Sequence, residues 1–257
     1  MTLPSTISEA LGLPERGLLS LVGAGGKTTV MFRLAAELAA RGLRVACATT
    51  TKIFPPTPDQ AHLVLTENNE HFLDACRETM AQGRPVCVAW RMENGKLLGL
   101  PPEFIHRLLD SGICDWILVE ADGARGLSLK APAEHEPVIP ERSTHVLALA
   151  GLTAIGTALD EDHVCRSGRY AQLSGLLPNA PITPESVARI CNHPHGMFKG
   201  APANARRLFW LNQADTPGSL AHGLEILGRM RAGTCLPQRV VVGAARCAPC
   251  VMEVWEP

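Results

Sequence analysis

Lysine is scarce in this chain of 257 residues: only Lys27, Lys52, Lys96, Lys130 and Lys199, against 24 basic residues in all. No excess of positive charge makes up for it, since the 25 acidic residues leave a formal net charge of −1. That balance excludes a polybasic footprint for nucleic acid or an anionic membrane surface. Also missing is any run of the ~18–20 apolar residues that a membrane-crossing helix requires. The most apolar stretch, Val146 to Leu159, is interrupted by Gly151, Thr153, Gly156 and Thr157. The opening MTLPSTISEA has no basic segment and carries Glu9, so it does not read as a signal peptide. There is no internal repeat and no low-complexity tract. The nine cysteines are odd in number and scattered, mostly in apolar runs. Buried free thiols in a reducing cytoplasm fit them better than a disulfide framework. With 46% hydrophobic and 19% charged residues, the chain can bury a sizeable core and is not disordered.

What is present is an alternation of strands and helices. Residues 17–22 form a short apolar run that ends at glycines, the pattern of a buried strand. Residues 28–41 place Val30, Met31, Leu34, Ala35, Leu38 and Ala39 at helical spacing, and Gly42 closes that helix. Further strands are expected at 43–48, 85–90, 116–119, 144–150, 207–211, 239–242 and 251–255. Helices are expected at 68–82, 102–109, 184–191 and 219–231, and Glu93-Asn-Gly95 reads as a hairpin turn. Strands separated by helices imply an α/β fold of three layers, a mostly parallel sheet covered on both faces. The expected organisation is a nucleotide-binding core over 1–150, a small helical insertion over 151–205, and a return to the sheet over 206–257, with a single domain as the alternative.

The strongest motif is Gly23-Ala24-Gly25-Gly26-Lys27-Thr28-Thr29, which follows a predicted strand and opens a predicted helix. That is the context of a phosphate loop. Its glycines allow a tight turn, and its amides, at a helix N-terminus, face an anion. Lys27 would reach the β- and γ-phosphates, and the Thr28 hydroxyl would ligate Mg²⁺. The first glycine stands four positions before the lysine, a shortened loop that resembles Mur-type ligases more than Ras-like GTPases.

Such a site also needs a carboxylate on a neighbouring strand to hold the metal. Glu120 and Asp122, at the end of Trp116-Ile-Leu-Val-Glu-Ala-Asp-Gly123, point the same way in an extended chain. In the following loop Lys130 and Arg125 could neutralise transferred phosphate, and His135 and Glu136 are acid–base candidates. Thr49-Thr50-Thr51-Lys52 ends the second strand, where ligands bind in open α/β sheets, and Thr51 is a further metal-side candidate. Asn212-Gln-Ala-Asp215 resembles the N-K-x-D of GTPases, with Asn212 and Asp215 as base-contacting candidates and a slight preference for GTP over ATP. Cys247-Ala-Pro-Cys250 has no partner pair at zinc spacing and reads as a chance pair beside the last strand; a redox or chalcogen-handling pair is the alternative. His193-Pro-His195 reads as part of a proline-rich loop.

Together, Leu21 to Thr29, Thr49 to Ile53, Val119 to Ala124, Leu129 to Pro132, His135-Glu-Pro-Val-Ile-Pro140 and Asn212 to Asp215 resemble the YqeC family. Proteins of that family are described as accessory factors for selenium-dependent molybdenum hydroxylases. The resemblance runs from about residue 15 to 243. It implies a cytoplasmic P-loop protein, using Mg²⁺ with ATP or GTP, that acts in maturation of a selenium-containing molybdenum cofactor. Its partners would be the hydroxylase or a molybdopterin nucleotidyltransferase. Two readings compete with an NTPase or phosphotransferase: a nucleotide-gated delivery chaperone with little catalysis, and a Mur-like ATP-dependent ligase.

Overall fold

The computed structural model describes residues 3–231 and 236–257; Cys235, one of the scattered cysteines, lies outside them. A short helix α1 (Ile7–Ala10) precedes strand β1 (Gly17–Gly23), helix α2 (Lys27–Ala40) and β2 (Val45–Thr49). Then come β3 (His62–Leu65), α3 (Phe72–Ala81), β4 (Val86–Ala89), the hairpin β5 (Met92–Glu93) and β6 (Lys96–Leu97), α4 (Pro102–Asp110) and β7 (Trp116–Glu120). The second half holds β8 (Leu129–Lys130), β9 (His145–Gly151), β10 (Val164–Cys165), α5 (Ser167–Ser174), α6 (Pro184–Asn192), β11 (Arg206–Asn212), α7 (Pro217–Met230), β12 (Arg239–Gly243) and β13 (Val251–Trp255).

Nine strands form one sheet in the order β13-β12-β11-β9-β1-β7-β2-β4-β3. The ladders are parallel throughout except β12 with β13. Side chains alternate across it, as period two demands. Leu19 and Leu21 of β1, Leu118 of β7 and Leu147 and Leu149 of β9 join Val30, Met31 and Leu34 of α2 in one buried cluster. The opposite parity feeds two clusters on the other face. Leu18, Ala46, Ile117 and Val119 meet Phe72 and Met80 of α3 and Ile105 and Leu108 of α4. Val22, Val146, Ala148, Phe209 and Val240 meet Val187 and Ile190 of α6 and Ile226 and Met230 of α7. This is the expected three-layer, mostly parallel α/β sheet, and burial on both faces accounts for its unbroken apolar strands.

The helix ends follow from sequence. Gly42, with φ 82°, closes α2, and the Leu43 amide donates back to the Leu38 carbonyl. Thr183-Pro-Glu-Ser186 and Thr216-Pro-Gly-Ser219 start α6 and α7 as capping boxes with proline in the first turn. Between β9 and β11 the chain makes a 3₁₀ turn (Leu152–Ala154), β10, α5 and α6. β10 pairs with β8, Cys165 opposite Lys130, so this region is stitched to the loop that follows β7.

Six cysteines of the described residues are buried and free, and Cys114 and Cys247 are partly exposed. Burial pushes the thiols of Cys76, Cys87 and Cys114 up to about 12, which leaves them protonated and unreactive.

One core group is set to respond to acid. His145 begins β9 between Trp116 and Thr144, with Nδ1 2.8 Å from Thr144 Oγ1 and Nε2 buried without a partner. Burial, reinforced by Arg206, depresses its pKa from 6.5 to about 4. The depressed value makes the neutral ring part of the folded state. The stability it contributes is therefore full above pH 6.5 and is lost as pH falls towards 4, to a total of about 3 kcal/mol. Urea midpoints between pH 7 and 4 are expected to fall more steeply for the native chain than for His145→Gln.

Candidate phosphate-loop site

β1 ends in the middle of the sheet, flanked by β9 and β7, and the chain turns through Gly23-Ala-Gly-Gly26 into α2. Gly23, Gly25 and Gly26 have φ of 89°, 84° and 106°, a left-handed region that glycine enters without steric cost. Sequence reasoning attributes these glycines to close approach by phosphate. The structure adds a second cause, since the protein's own backbone fills the space a Cβ would need. A Cβ on Gly23 would stand 2.3 Å from the Leu149 carbonyl, and one on Gly25 would stand 2.3 Å from the Gly151 amide nitrogen. The loop is laced to its surroundings: the Ala24 amide donates to Leu149 O (3.0 Å) and the Gly25 amide to Leu127 O (3.1 Å). Gly25→Ala is expected to cost more than about 2 kcal/mol of unfolding free energy, read from denaturant melts, from strain plus overlap, and to lower anion affinity as well.

Gly26 is the N-cap of α2 and has no side chain to satisfy the first-turn amides, so the helix start stays available to an anion. The first turn supplies the functional side chains. Lys27, 4% exposed, donates to Gly23 O (2.7 Å) and pairs with Asp122 Oδ1 (3.1 Å) and Glu120 Oε1 (3.6 Å). The Thr28 hydroxyl donates to Glu120 Oε2 (2.7 Å). The Gly23 amide donates to Asp122 Oδ2 (3.0 Å). Residues 23, 27, 28, 120 and 122 are thus brought together by the pairing of β1 with β7, which sets Leu21 opposite Glu120.

A chain of alternating charge leads away from this point. Lys130, 2% exposed, pairs with Asp122 Oδ2 (2.9 Å) and Glu136 Oε2 (2.8 Å), and donates to Gly123 O (2.6 Å). Glu136 Oε1 accepts from Arg166 Nη2 (2.7 Å), just ahead of α5. Burial raises the carboxyl pKa of Glu120, and the nearby Asp122 charge adds to that; Lys27 and the Thr28 hydroxyl only partly offset it. Burial also opposes ionisation of Glu136, but Lys130 and Arg166 outweigh it and its pKa falls. Lys27 behaves likewise, its desolvation exceeded by Asp122 and Glu120, so it is held as a cation.

Other candidates lie elsewhere. Thr51 bonds within its own tip, its amide donating to Thr49 Oγ1 (3.0 Å), and makes no hydrogen bond to Glu120 or Asp122 side chains among the described residues. Lys52 pairs with Glu93 at the surface. Lys199 donates to the carbonyls of Ala133 and Glu134, clamping the loop that carries Glu136. His135 is exposed. Asn212 is occupied by the protein: Nδ2 donates to Gly25 O (2.6 Å), and Oδ1 accepts from Trp210 Nε1 (3.0 Å) and the Ala245 amide (2.9 Å). It braces the phosphate loop against the ends of β11 and β12. Asp215 is exposed in the turn beyond β11.

The sequence gives no signal for Arg166 or Thr153, and places Gln213 only where the lysine of N-K-x-D would stand. Gln213, at φ 68°, accepts at Oε1 from Thr153 Oγ1 (2.7 Å) and Ser128 Oγ (3.1 Å), closing the wall beside Gly25 and Gly151. Its left-handed backbone directly after a strand has no local signal in the sequence. The same is true of Arg166, which reaches Glu136 from thirty positions away.

Among the described residues no group of three or more His, Cys, Asp or Glu side chains could hold a metal by itself. Mg²⁺ beside a nucleotide takes only one or two carboxylates, the remainder of its shell being phosphate and water. Thr28, Glu120 and Asp122 meet that need, and Asp122 Oδ1 is buried without a hydrogen bond, its only close partner being the ionic contact with Lys27 at 3.1 Å.

A parallel sheet with a glycine turn, an invading lysine and a carboxylate pair on the next strand defines a P-loop type of α/β protein. The YqeC protein family model matches residues 19–168. A curated relative, "Uncharacterized protein YqeC" of Escherichia coli (strain K12), is 37% identical over 212 residues, 82% of this chain and 81% of that protein. The chain belongs to the YqeC family. The matched span holds the whole charge chain from Lys27 to Arg166. Solved structures of partial similarity include chloroplast FtsY from Physcomitrella patens (TM-score 0.43, 15% identity, 91% of this chain and 61% of that one). Another is hydrogenase maturation factor HypB from Archaeoglobus fulgidus (TM-score 0.41, 13% identity, 93% of this chain and 86% of that one). Among the described residues no helix is long and apolar enough to cross a membrane.

Proposed function

We propose that this protein binds a Mg²⁺–nucleoside triphosphate at residues 23–29 and hydrolyses it or transfers its terminal phosphoryl group. The observation that carries the reading is the convergence of Lys27, Thr28, Glu120 and Asp122 at an uncapped helix start. The uncapped first-turn amides of α2 and Lys27 would hold the β- and γ-phosphates, since the amides of residues 23–25 already donate to the protein. Thr28, with Glu120 or Asp122, would hold the metal, which when bound neutralises charge on those phosphates. Asp215 is the residue proposed to read the base, because Asn212 is already engaged with Gly25. If Asp215 accepts the ring N–H of guanine, GTP binds more tightly than ATP to the native chain. In Asp215→Ala that preference falls by at least about tenfold, as calorimetry with Mg²⁺ would read. Equal affinities in the native chain would remove guanine from the proposal.

The family resemblance supports a place for this reaction in maturation of selenium-dependent molybdenum hydroxylases, with the hydroxylase or a molybdopterin nucleotidyltransferase as partner. A second reading, a nucleotide-gated delivery factor, is favoured by one observation. The charge chain Lys27–Asp122–Lys130–Glu136–Arg166 runs from the phosphate loop to the start of α5, inside residues 151–205. A phosphate that takes Lys27 from Asp122 perturbs the chain's first link, which ties nucleotide state to that region. Pull-down of the hydroxylase that depends on the nucleotide supplied would support this reading. Equal capture in every nucleotide state would count against it.

A further inference from the structure

Two full cations follow Asp122 in the loop after β7, Arg125 and Lys130, and the structure separates their roles. Lys130 is fully committed. Its ammonium has three hydrogens and three acceptors, namely Gly123 O, Asp122 and Glu136, all within 2.9 Å. Lys130 would have to break three short contacts to reach a phosphate. Lys27, by contrast, stands in the phosphate loop itself and meets Asp122 and Glu120 only at 3.1 and 3.6 Å. Arg125 is exposed and forms no ion pair within 4.0 Å among the described residues, its charge being felt only at longer range by the exposed Glu161.

Its position is nevertheless fixed. Two residues before it, Gly123 O accepts from Lys130; two residues after it, Leu127 O accepts from the Gly25 amide of the phosphate loop (3.1 Å). The Ser128 carbonyl, one residue further, accepts from Gly151 and would stand 3.0 Å from a Cβ on Gly25. The turn is therefore tied to the phosphate loop on one side and to the carboxylate strand on the other. Arg125 and Gly126 at its crest have φ of 53° and 81°. A non-glycine residue in that region carries strain of about 1–3 kcal/mol, which no ion pair of its own side chain offsets here.

We propose that Arg125 is the catalytic cation of this site and that Lys130 is a positioning residue. The inference rests on the reading that residues 23–29 bind a nucleoside triphosphate. In the reaction, a water or acceptor oxygen forms a bond to the γ-phosphorus as the bond from that phosphorus to the β–γ bridging oxygen breaks. The bridging oxygen leaves with the electron pair on the nucleoside diphosphate, and the nucleophile's proton passes to phosphate or solvent. The Arg125 guanidinium, carried on a turn tied to the phosphate loop, would swing onto the equatorial and bridging oxygens while their charge shifts, and is itself unchanged.

The test uses the full chain, its Arg125→Ala variant and its Arg125→Lys variant. Binding of Mg²⁺ with nucleoside diphosphate is compared with binding of the same diphosphate plus fluoroaluminate, a mimic of the transferring group. Arg125→Ala is expected to hold the diphosphate within about threefold of the native chain, while its affinity for the fluoroaluminate complex and its turnover both fall at least about 100-fold. Arg125→Lys recovers only part of the loss, because a point charge cannot bridge two oxygens. Equal fluoroaluminate affinity in the native and alanine proteins overturns the assignment, as does a native protein that binds diphosphate but never the fluoroaluminate complex. A native protein that binds no nucleotide at all instead overturns the reading beneath it.

Discussion

Lys130→Met is expected to destabilise the protein by about 3–5 kcal/mol, the largest stability loss foreseen for any single side chain of the site. The methionine fills much the same volume, so the loss is electrostatic. Asp122 and Glu136, which are 1% and 9% exposed, lose the cation that lies between them. Asp122 retains the Gly23 amide and Lys27, and Glu136 retains Arg166, but the Gly123 carbonyl is left without its donor. Removing one member of a buried charge set costs far more than the set's net contribution, because the remaining charges stay desolvated. Guanidinium or urea melts read the effect directly. Adding Glu136→Gln to Lys130→Met is expected to recover part of it, since one uncompensated charge disappears. A single variant within about 1 kcal/mol of the native chain would contradict the view that Lys130 is committed to structure.

Lys27→Ala is expected to lower affinity for a nucleoside triphosphate by at least about 100-fold and to abolish turnover. It also has a consequence in the absence of ligand. Lys27 is one of the influences that hold the Glu120 pKa down against burial and Asp122. Without it the Glu120 carboxyl moves further above its ordinary value of 4.5. A carboxyl whose folded pKa is raised favours the folded state while protonated, and that contribution is lost as pH rises through the folded value. The variant is therefore expected to lose stability more steeply than the native chain as pH climbs above 4.5, as denaturation midpoints would show. Parallel pH profiles for the two proteins would mean that Lys27 and Glu120 are not coupled.

The phosphate loop and its carboxylates are legible in sequence because every part of their signal is local. An apolar strand, three glycines, Gly-Lys-Thr and a helical period lie within one short stretch. Glu120 and Asp122 alternate at the end of another apolar run. The sequence predicts every strand of the nine-stranded sheet but β3. β3 lacks a signal because it is a four-residue edge strand whose burial never alternates cleanly. α5 lacks a signal because the residue before it, the N-cap Arg166, is left-handed and offers no side-chain cap, so the usual start signal is absent. The charge chain beyond Asp122 escaped for a different reason. Its members are brought together by the β8–β10 pairing, which no spacing within the sequence announces.

Asn212 shows how a local resemblance can carry two meanings. Its motif points to a base, yet Trp210 buries an indole N–H that needs an acceptor, and Gly25 presents a carbonyl that needs a donor. One amide side chain meets both needs across 187 positions of sequence. The scarce lysines divide in the same way. Lys27 faces the phosphate loop, Lys130 and Lys199 hold the loop after β7 together, and Lys52 and Lys96 make surface contacts with Glu93 and Phe54.

The central claim is that Lys27, Thr28, Glu120 and Asp122 form a Mg²⁺–nucleoside triphosphate site. Isothermal titration of ATP and of GTP, with Mg²⁺ and again with a chelator, tests it most directly in the native chain and in Thr28→Val. The account predicts saturable binding of at least one nucleotide to the native chain, weakened at least about tenfold by the chelator. It also predicts that Thr28→Val, which lacks only the hydroxyl, loses that metal dependence. Binding of neither nucleotide, or binding indifferent to both Mg²⁺ and the Thr28 hydroxyl, would contradict it.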